Sequence, residues 1–247
     1  MMPLTQPTKI VEANPDHSPF LAKVILSASR SHLARGPFDF AMNVPTNEWL
    51  DVLEWMTLSD FVSNCHFSKF LVAEHNGEPI GALAAFESGD ANLFPLGAAF
   101  ADAYTGIGYD EAELSSVLSR LDATRECLPP AESRTWVVEW VAVEPEYRGR
   151  NICRQLLAKA LELGAVRSLP LSQISIYMGN DAAIGAYNKA GFRTNREYRN
   201  PEFARLIGPP GMVAMTRELM QERSVSFAKT ALAISGFVLG EACLSSV

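Results

Sequence analysis

The chain has 247 residues, of which 48% are hydrophobic and 20% are charged. This composition indicates a globular protein that buries a core within one large or two small domains. The formal net charge of −7 argues against a nucleic-acid binder that works through bulk charge. The same charge suits a cationic acceptor such as an amine.

The cysteines and the apolar runs indicate neither a metal site nor a membrane protein. Cys65, Cys127, Cys153 and Cys243 lack the spacing of metal ligands, so we predict free thiols in a reducing, cytoplasmic environment. The first residues lack the charged and apolar regions of a signal peptide. The apolar run over residues 230–240 is shorter than a membrane span, which needs about 20 residues. We expect there a helix that packs on the domain or contacts a second copy in a homodimer.

The first part of the chain predicts one strand and two helices. The strand is expected over residues 8–13, and the first helix runs from Ser18 to about Ala34. Residues 35–40 predict a loop. A second helix is expected over residues 46–62. Four of its apolar side chains are predicted to face inward: Trp49, Leu50, Leu53 and Phe61.

A hairpin and a long insertion follow. An Asn-Gly dipeptide between two apolar runs predicts a β-hairpin with strands at 70–74 and 80–86. The insertion over residues 89–134 is too long for a simple connection, and it is either a lid over a bound ligand or a passive surface elaboration. Within it, Asp110 and Glu113 resemble a capping box at the start of a helix.

The stretch from residue 136 to 164 predicts a strand, a turn and a helix. Pro145 ends the strand and Gly164 ends the helix. The first N–H groups of a helix lack partners within it, and the helix dipole adds positive potential there. This turn is therefore either a phosphate or pyrophosphate site or a solvated basic turn. Its three basic residues are Arg148, Arg150 and Arg154.

A second strand and helix come next. The strand is expected over residues 174–178, and a helix of small residues over 182–190 is ended by Gly191. Small residues on one face of that helix let a ligand approach the backbone closely. Three residues spaced i, i+3 and i+7 share that face: Asn180, Ala183 and Tyr187. The last two strands are predicted at 191–197 and 212–217.

Two ordered motifs carry a family resemblance. Residues 141–152 read Val-Ala-Val-x-Pro-x-Tyr-Arg-Gly-Arg-x-Ile, which resembles the acetyl-CoA motif of the GNAT acyltransferase superfamily. Asn151 stands in place of the usual glycine, and Cys153 in place of the usual glycine or alanine. Residues 180–192 read Asn-x-x-Ala-x-x-x-Tyr-x-Lys-x-Gly-Phe and look like the second signature of the family. The resemblance covers two ranges, about 68–88 and 135–219.

The resemblance implies an α/β (α+β) fold, a mixed and mostly antiparallel sheet flanked by helices. Residues 1–219 would form one domain with the 89–134 insertion between the third and fourth strands, and residues 220–247 a helical extension. The implied activity is transfer of an acetyl group from acetyl-CoA to a small-molecule or peptide amine by direct attack in a ternary complex. The alternative is a catalytically silent acyl-CoA-binding sensor or interaction module. In either case no metal, nucleic acid or membrane is expected.

The resemblance also implies which residues contact acetyl-CoA. They are Val141, Ala142, Val143, Arg148, Gly149, Arg150, Asn151, Ile152, Cys153, Arg154, Asn180, Ala183, Tyr187 and Lys189. Asn180 either holds the pantetheine chain or caps the helix. Lys189 either meets a CoA phosphate or is a solvated surface lysine. Tyr187 occupies the position of the general-acid tyrosine of many family members, or it packs on the cofactor.

Glu139 is the predicted general base. It lies within an apolar strand, with the side-chain parity of Val141 and Val143, and burial among apolar neighbours raises the pKa of a carboxyl toward that of a useful base. The alternative is an exposed or ion-paired glutamate. Glu87 and Glu197 are rivals for the same role. Two further acids, Asp39 and Asp102, are candidate contacts for a cationic acceptor.

Overall fold

The computed structural model describes residues 7–42, 46–90, 92–125 and 128–219. Within these ranges seven strands form one sheet: β1 (Lys9–Glu12), β2 (Phe70–His75), β3 (Glu78–Glu87), β4 (Thr135–Val143), β5 (Leu171–Tyr177), β6 (Arg193–Arg199) and β7 (Gly211–Glu218). Their spatial order is β1-β2-β3-β4-β5-β7-β6. Each neighbouring pair is antiparallel except β4 and β5, which run parallel. The predicted mixed, mostly antiparallel sheet is confirmed.

Helices cover both faces of this sheet. In the described ranges they are α1 (Ser18–Arg30), α2 (Pro37–Met42), α3 (Thr46–Leu58), α4 (Leu96–Gly106), α5 (Glu111–Arg125), α6 (Ile152–Val166), α7 (Asp181–Lys189) and α8 (Pro201–Ile207). Helix α6 packs on β2, β3 and β4, and α7 shares its apolar core. Helix α1 contacts β3 and β4 and packs on α3 in a second core. None of the described helices combines the length and the apolar character needed to cross a membrane.

Local sequence signals specify several of these elements. Asn76 and Gly77 both adopt positive φ, 55° and 82°, which is the backbone that a tight hairpin turn requires. Asp110 and Glu113 form the predicted capping box at the start of α5. The Glu113 N–H donates to Asp110 Oδ1 over 2.8 Å, and the Asp110 N–H donates to Glu113 Oε2 over 3.2 Å. Helix α5 packs on α2, and α4 packs on α3, so the insertion lies on the α1 side of the sheet.

Several predicted boundaries are wrong. Residues 37–40 belong to helix α2 and not to a loop. Helix α3 ends at Leu58, so Phe61 lies beyond it, is 39% exposed and packs edge-on against Phe94 with ring centroids 5.4 Å apart. Helices α4 and α8 were not predicted. Helix α4 forms in an Ala- and Gly-rich stretch because four residues on one side are buried: Ala99, Phe100, Ala103 and Tyr104.

Gly164 does not end α6, which continues to Val166. A Cβ at this position would lie 2.7 Å from the Trp136 indole, so the glycine lets the helix approach the sheet. The Trp136 Nε1–H then donates to Ala160 O over 2.7 Å. The predicted extension over 220–247 lies outside the described residues.

Candidate active site

The parallel strands β4 and β5 separate halfway along their length. Their pairing runs from Thr135↔Leu171 to Val138↔Ile174, although β4 continues to Val143. Strand β5 stays paired with β7 as far as Tyr177. Beyond Val138, β4 and β5 are no longer paired. The backbone edge of β4 that is turned toward β5 therefore borders a gap between these two strands. Backbone N–H and C=O groups on such an edge need hydrogen-bond partners, which an extended ligand with amide groups provides.

A β-bulge at Trp140 changes which face of the sheet Glu139 occupies. The register between β3 and β4 shifts there, and Trp140 has φ of 52°. Glu139 lies opposite Ala84, which belongs to the core under α1, whereas Val141 and Val143 join the core under α6. The prediction that the Glu139 side chain lies on the same face of the sheet as Val141 and Val143 is therefore wrong. The extra residue in β4 reverses the alternation of side chains between the two faces.

The Glu139 carboxyl is held by a hydrogen bond from a turn distant in sequence. Asn64 Nδ2 donates to Glu139 Oε2 over 2.6 Å. Burial raises the pKa of Glu139 above its usual value, and the Asn64 hydrogen bond opposes part of that rise. Glu139 is thus neither fully exposed nor ion-paired to another described residue. No local sequence pattern marks Asn64, which lies 75 residues before its acceptor.

The turn before α6 leaves a row of backbone donors free. Gly149 and Asn151 adopt positive φ, 74° and 64°, so Asn151 takes the backbone conformation that the family's glycine would take. The first helical hydrogen bond runs from the Gln155 N–H to Asn151 O, at 3.0 Å. In the described part of the chain, the N–H groups of residues 149–154 have no protein acceptor. They form an anion cradle at a helix N-terminus.

The three arginines of this turn differ in their surroundings. Arg150 Nε is buried and has no hydrogen-bond partner among the described residues, and its guanidinium lies 5.5 Å from the centre of the Tyr147 ring. Arg148 Nε donates to Val143 O over 3.0 Å at the end of β4. Arg154 is exposed on the first turn of α6. Arg150 is half-buried at this turn, and its guanidinium offers a cationic donor to an anionic ligand.

Asn180 caps helix α7. Its Oδ1 accepts from the Ala183 N–H at 3.0 Å, and its Nδ2 donates to Ser31 Oγ at 2.8 Å. Ser31 follows the last turn of α1, so this side chain also joins α7 to the helix on the other face. Lys189 lies exposed in the last turn of α7.

Helices α6 and α7 meet at Tyr187 and Cys153. Tyr187 is 8% exposed and packs near Phe192, with ring centroids 6.3 Å apart. Burial, and then the nearby Cys153 thiol, raise the pKa of Tyr187 well above its usual value. Burial raises the pKa of Cys153 to about 11. Both groups therefore stay protonated at neutral pH, and Tyr187 offers an O–H donor.

The other acidic residues predicted to act as a base or to contact the acceptor have partners of their own or lie elsewhere in the fold. Asp39 accepts from Arg30 Nε at 2.9 Å, from Arg30 Nη2 at 2.5 Å and from the Gly36 N–H at 2.8 Å. Burial alone would raise the pKa of Asp39, but the Arg30 and Gly36 hydrogen bonds bring it below its usual value. This carboxylate is already committed to Arg30, which argues against the predicted acceptor contact.

Asp102, Glu197 and Glu87 also lie away from the bulge. Asp102 accepts from Ser59 Oγ at 2.5 Å and from Trp55 Nε1 at 3.3 Å. Glu197 pairs with Arg199 at 2.9 Å on β6, and Glu87 lies opposite Trp136 near the other end of β4. In the ranges that the structure describes, no group of three His, Cys, Asp or Glu side chains is placed to hold a metal ion.

Comparison with known proteins identifies the family. The family model described as the acetyltransferase (GNAT) family matches residues 37–192. The chain belongs to the GNAT acetyltransferase family. The match begins at α2, spans the insertion and includes both predicted signatures. A search of the curated proteins finds no match.

Two solved acetyltransferase structures share the fold at low sequence identity. One acetyltransferase is 16% identical with a TM-score of 0.63, covering 86% of this chain and 100% of its own. An N-acetyltransferase from Staphylococcus aureus Mu50 is 19% identical with a TM-score of 0.60, covering 85% of this chain and 100% of its own. A PaiA N-acetyltransferase from Thermoplasma acidophilum, solved with coenzyme A, is 11% identical with a TM-score of 0.46, covering 86% and 99%.

Proposed function

We propose that this GNAT protein transfers an acetyl group from acetyl-CoA to a primary amine by direct attack in a ternary complex. The observation that carries the proposal is the gap between β4 and β5. It is supported by the free N–H groups of residues 149–154 and by Tyr187 in the core that α6 and α7 share. A thioester with an extended pantetheine arm and a pyrophosphate fits both features. The acceptor is a small-molecule or peptide amine.

The anion cradle fits the pyrophosphate of acetyl-CoA. Six adjacent amides and the unpaired Arg150 Nε would donate to phosphate oxygens, and the α6 dipole favours negative charge there. The backbone groups of Val141 and Val143, which face the gap, would pair with the pantetheine amides as a further strand would, and Ala142 between them would line the site. Bound acetyl-CoA supplies the activated acyl group, and the protein positions it.

Glu139 is the proposed general base. An alkylamine with a pKa near 10.4 is about 3.4 units from neutrality at pH 7, which corresponds to roughly 4.6 kcal/mol. A carboxylate with a raised pKa, such as Glu139, accepts that proton more readily than an exposed one. Glu139 removes the ammonium proton, directly or through a water, and the amine nitrogen then attacks the thioester carbonyl carbon.

Tyr187 is the proposed donor to the leaving group. As the C–S bond breaks, the electron pair stays on sulfur, and the Tyr187 O–H donates a hydrogen bond to it. Its strongly raised pKa opposes full transfer of the phenol proton and favours a shared hydrogen bond. The new amide keeps the acetyl group. The attacking nitrogen gives up its second proton as the C–S bond breaks, and that proton reaches the CoA thiolate through water to give the free thiol. The proton held by Glu139 returns to solvent. No covalent enzyme intermediate is needed.

The proposal also covers the domain organisation, the oligomeric state and the cellular compartment. We propose one domain over residues 1–219 with the 89–134 insertion, followed by the 220–247 extension, which is a candidate contact in a homodimer. Cys65 is buried, and a free thiol of this kind suits a reducing compartment such as the cytoplasm.

The test is acetyl-CoA binding by calorimetry combined with thiol release across a panel of amines. The panel covers small alkylamines, amino acids, amine-bearing antibiotics and peptide N-termini. Amine-dependent thiol release that is lost in Glu139→Gln supports the enzyme. Binding with no release on any amine favours the predicted sensor, and absence of binding overturns both.

A further inference from the structure

The base proposed at Glu139 depends on a residue outside both family signatures. Among the described residues, Asn64 Nδ2 is the side-chain donor to the Glu139 carboxyl, over a distance of 2.6 Å. We propose that Asn64 is a positioning residue that orients the Glu139 carboxylate and stabilises its ionised form. This inference rests on the proposed role of Glu139 as the base.

The turn that carries Asn64 is fixed on both sides of that residue. Ser63 and Cys65 are fully buried, and the Cys65 N–H donates to Ser63 Oγ over 3.1 Å. The His66 N–H closes the turn by donating to Ser63 O, also at 3.1 Å. Because its two neighbours are anchored in the core, the backbone of Asn64 is held where its side-chain amide reaches Glu139.

The insertion holds this turn from the outside. The Phe94 N–H donates to Val62 O over 2.8 Å, and the Phe94 ring packs against Phe61. Ser59 Oγ donates to Asp102 Oδ2 over 2.5 Å. These contacts lie just before Asn64 in the chain, so the 89–134 insertion supports the residue that orients the base.

The surroundings of Glu139 determine the direction in which its pKa should move when the Asn64 donor is lost. Burial raises the pKa of Glu139, and the Asn64 hydrogen bond lowers it. Among the described residues, the titratable group that interacts with this carboxyl is Cys65. Burial and the Glu139 charge raise the pKa of Cys65 well above its usual value, so that thiol stays neutral through the assay range. Loss of the Asn64 donor therefore leaves burial unopposed and raises the pKa of Glu139 further.

The experiment compares Asn64→Asp and Asn64→Ala with the wild type. Asn64→Asp keeps the shape and replaces the donor with a carboxylate, whose charge also repels that of Glu139. Asn64→Ala removes the donor without adding a charge. The acid limb of the kcat/KM profile should move to higher pH by about one to two units. The variants and the wild type should converge at high pH, where Glu139 is ionised in all of them.

A second readout follows Glu139 without turnover. The 13C side-chain carboxyl signal that disappears in Glu139→Gln is titrated by NMR, and it should move to higher pH in both Asn64 variants. In the Glu139→Gln background, Asn64→Ala should add no further loss of rate. Asn200→Ala is the matched control: that side chain caps α8 at 2.8 Å from the Glu202 N–H, and its loss should leave the pH profile in place.

The outcomes separate the two proposals. A carboxyl titration that does not move in either Asn64 variant overturns the Asn64 assignment and leaves Glu139 as the base. A carboxyl titration that moves while the rate profile stays in place overturns Glu139 as the base, and with it the positioning role. A shift of both supports both.

Discussion

The two sides of strand β4 are built in different ways. Toward the α6–α7 side, the site is made from a nearly continuous stretch, because β4, the turn at residues 148–151, α6, β5 and α7 follow one another along the chain. Toward the α1 side, Glu139 meets Asn64, 75 residues earlier, and the turn of Asn64 is held by the insertion. The bulge at Trp140 divides the two sides.

This difference separates binding from chemistry. The α6–α7 side, called the cofactor side below, uses backbone N–H groups at a helix start, which any sequence with the right turn can present. The α1 side, with Glu139 and Asn64, is called the base side. The base side uses one carboxylate whose protonation depends on burial and on a single donated hydrogen bond. Changes on the base side should therefore act on kcat and pH dependence. On the cofactor side, changes in the anion cradle should act on the affinity for acetyl-CoA, whereas a change at Tyr187 should act on the chemical step.

The largest effect is expected from Glu139→Gln. Removal of a general base costs about 10²–10⁴-fold in kcat/KM near neutral pH. Glu139 works as the carboxylate, so its contribution appears as the pH rises through its raised pKa. It fades at high pH, where the ammonium loses its proton to solvent without help. A ratio of mutant to wild-type kcat/KM that stays flat with pH would contradict the base assignment and direct attention to Glu87, Glu197 or a water. The acetyl-CoA Kd, measured by calorimetry, controls for the cofactor side.

A smaller loss is expected from Tyr187→Phe. A hydrogen bond to a charged sulfur contributes about 1.5–3 kcal/mol, so kcat should fall about ten- to a hundredfold while the Kd of acetyl-CoA changes little. The ring stays, so packing against α6 is kept. Single-turnover kinetics isolates the chemical step. A wild-type rate for that step would show that Tyr187 only packs.

Gly149→Ala should weaken acetyl-CoA binding about fivefold, because an alanine at positive φ costs about 1 kcal/mol or more. Gly77→Ala is the matched control, since Gly77 has φ of 82° against 74° for Gly149 but lies in the β2–β3 hairpin turn. Calorimetry on both variants separates loss of the anion cradle from general strain. Equal affinities in the two variants would remove the turn from the binding site.

The smallest effect on activity is expected from Asp39→Asn. The Arg30 contact lowers the pKa of Asp39, so its stabilisation is present above the usual pKa of 3.8 and is lost as the pH falls through the lowered value. The variant should lower the free energy of unfolding by about 1–2 kcal/mol at pH 7, with a smaller difference below pH 3.8. Denaturant titrations at both pH values measure this. A raised acceptor KM without loss of stability would instead place Asp39 at the acceptor.

Much of the fold and of the cofactor side could be predicted because their signals are local. The Asn76-Gly77 turn, the Asp110–Glu113 capping box and the turn at Gly149 each depend on residues within a few positions of one another. The alternation of apolar residues was enough for most strands. Helix α4 was missed because its Ala- and Gly-rich sequence has no strong helical signal until Phe100 and Tyr104 are buried against α3.

The sequence by itself determined the family signatures, the anion cradle and the presence of a carboxylate in β4. Only the tertiary structure decided which face that carboxylate occupies, because one extra residue at Trp140 inverts the period-two alternation and nothing in the sequence marks it. The tertiary structure also decided that Asp39 pairs with Arg30 and that Asn64 donates to Glu139. Contacts of this kind are made by packing between separate segments of the chain, so local residue patterns do not predict them.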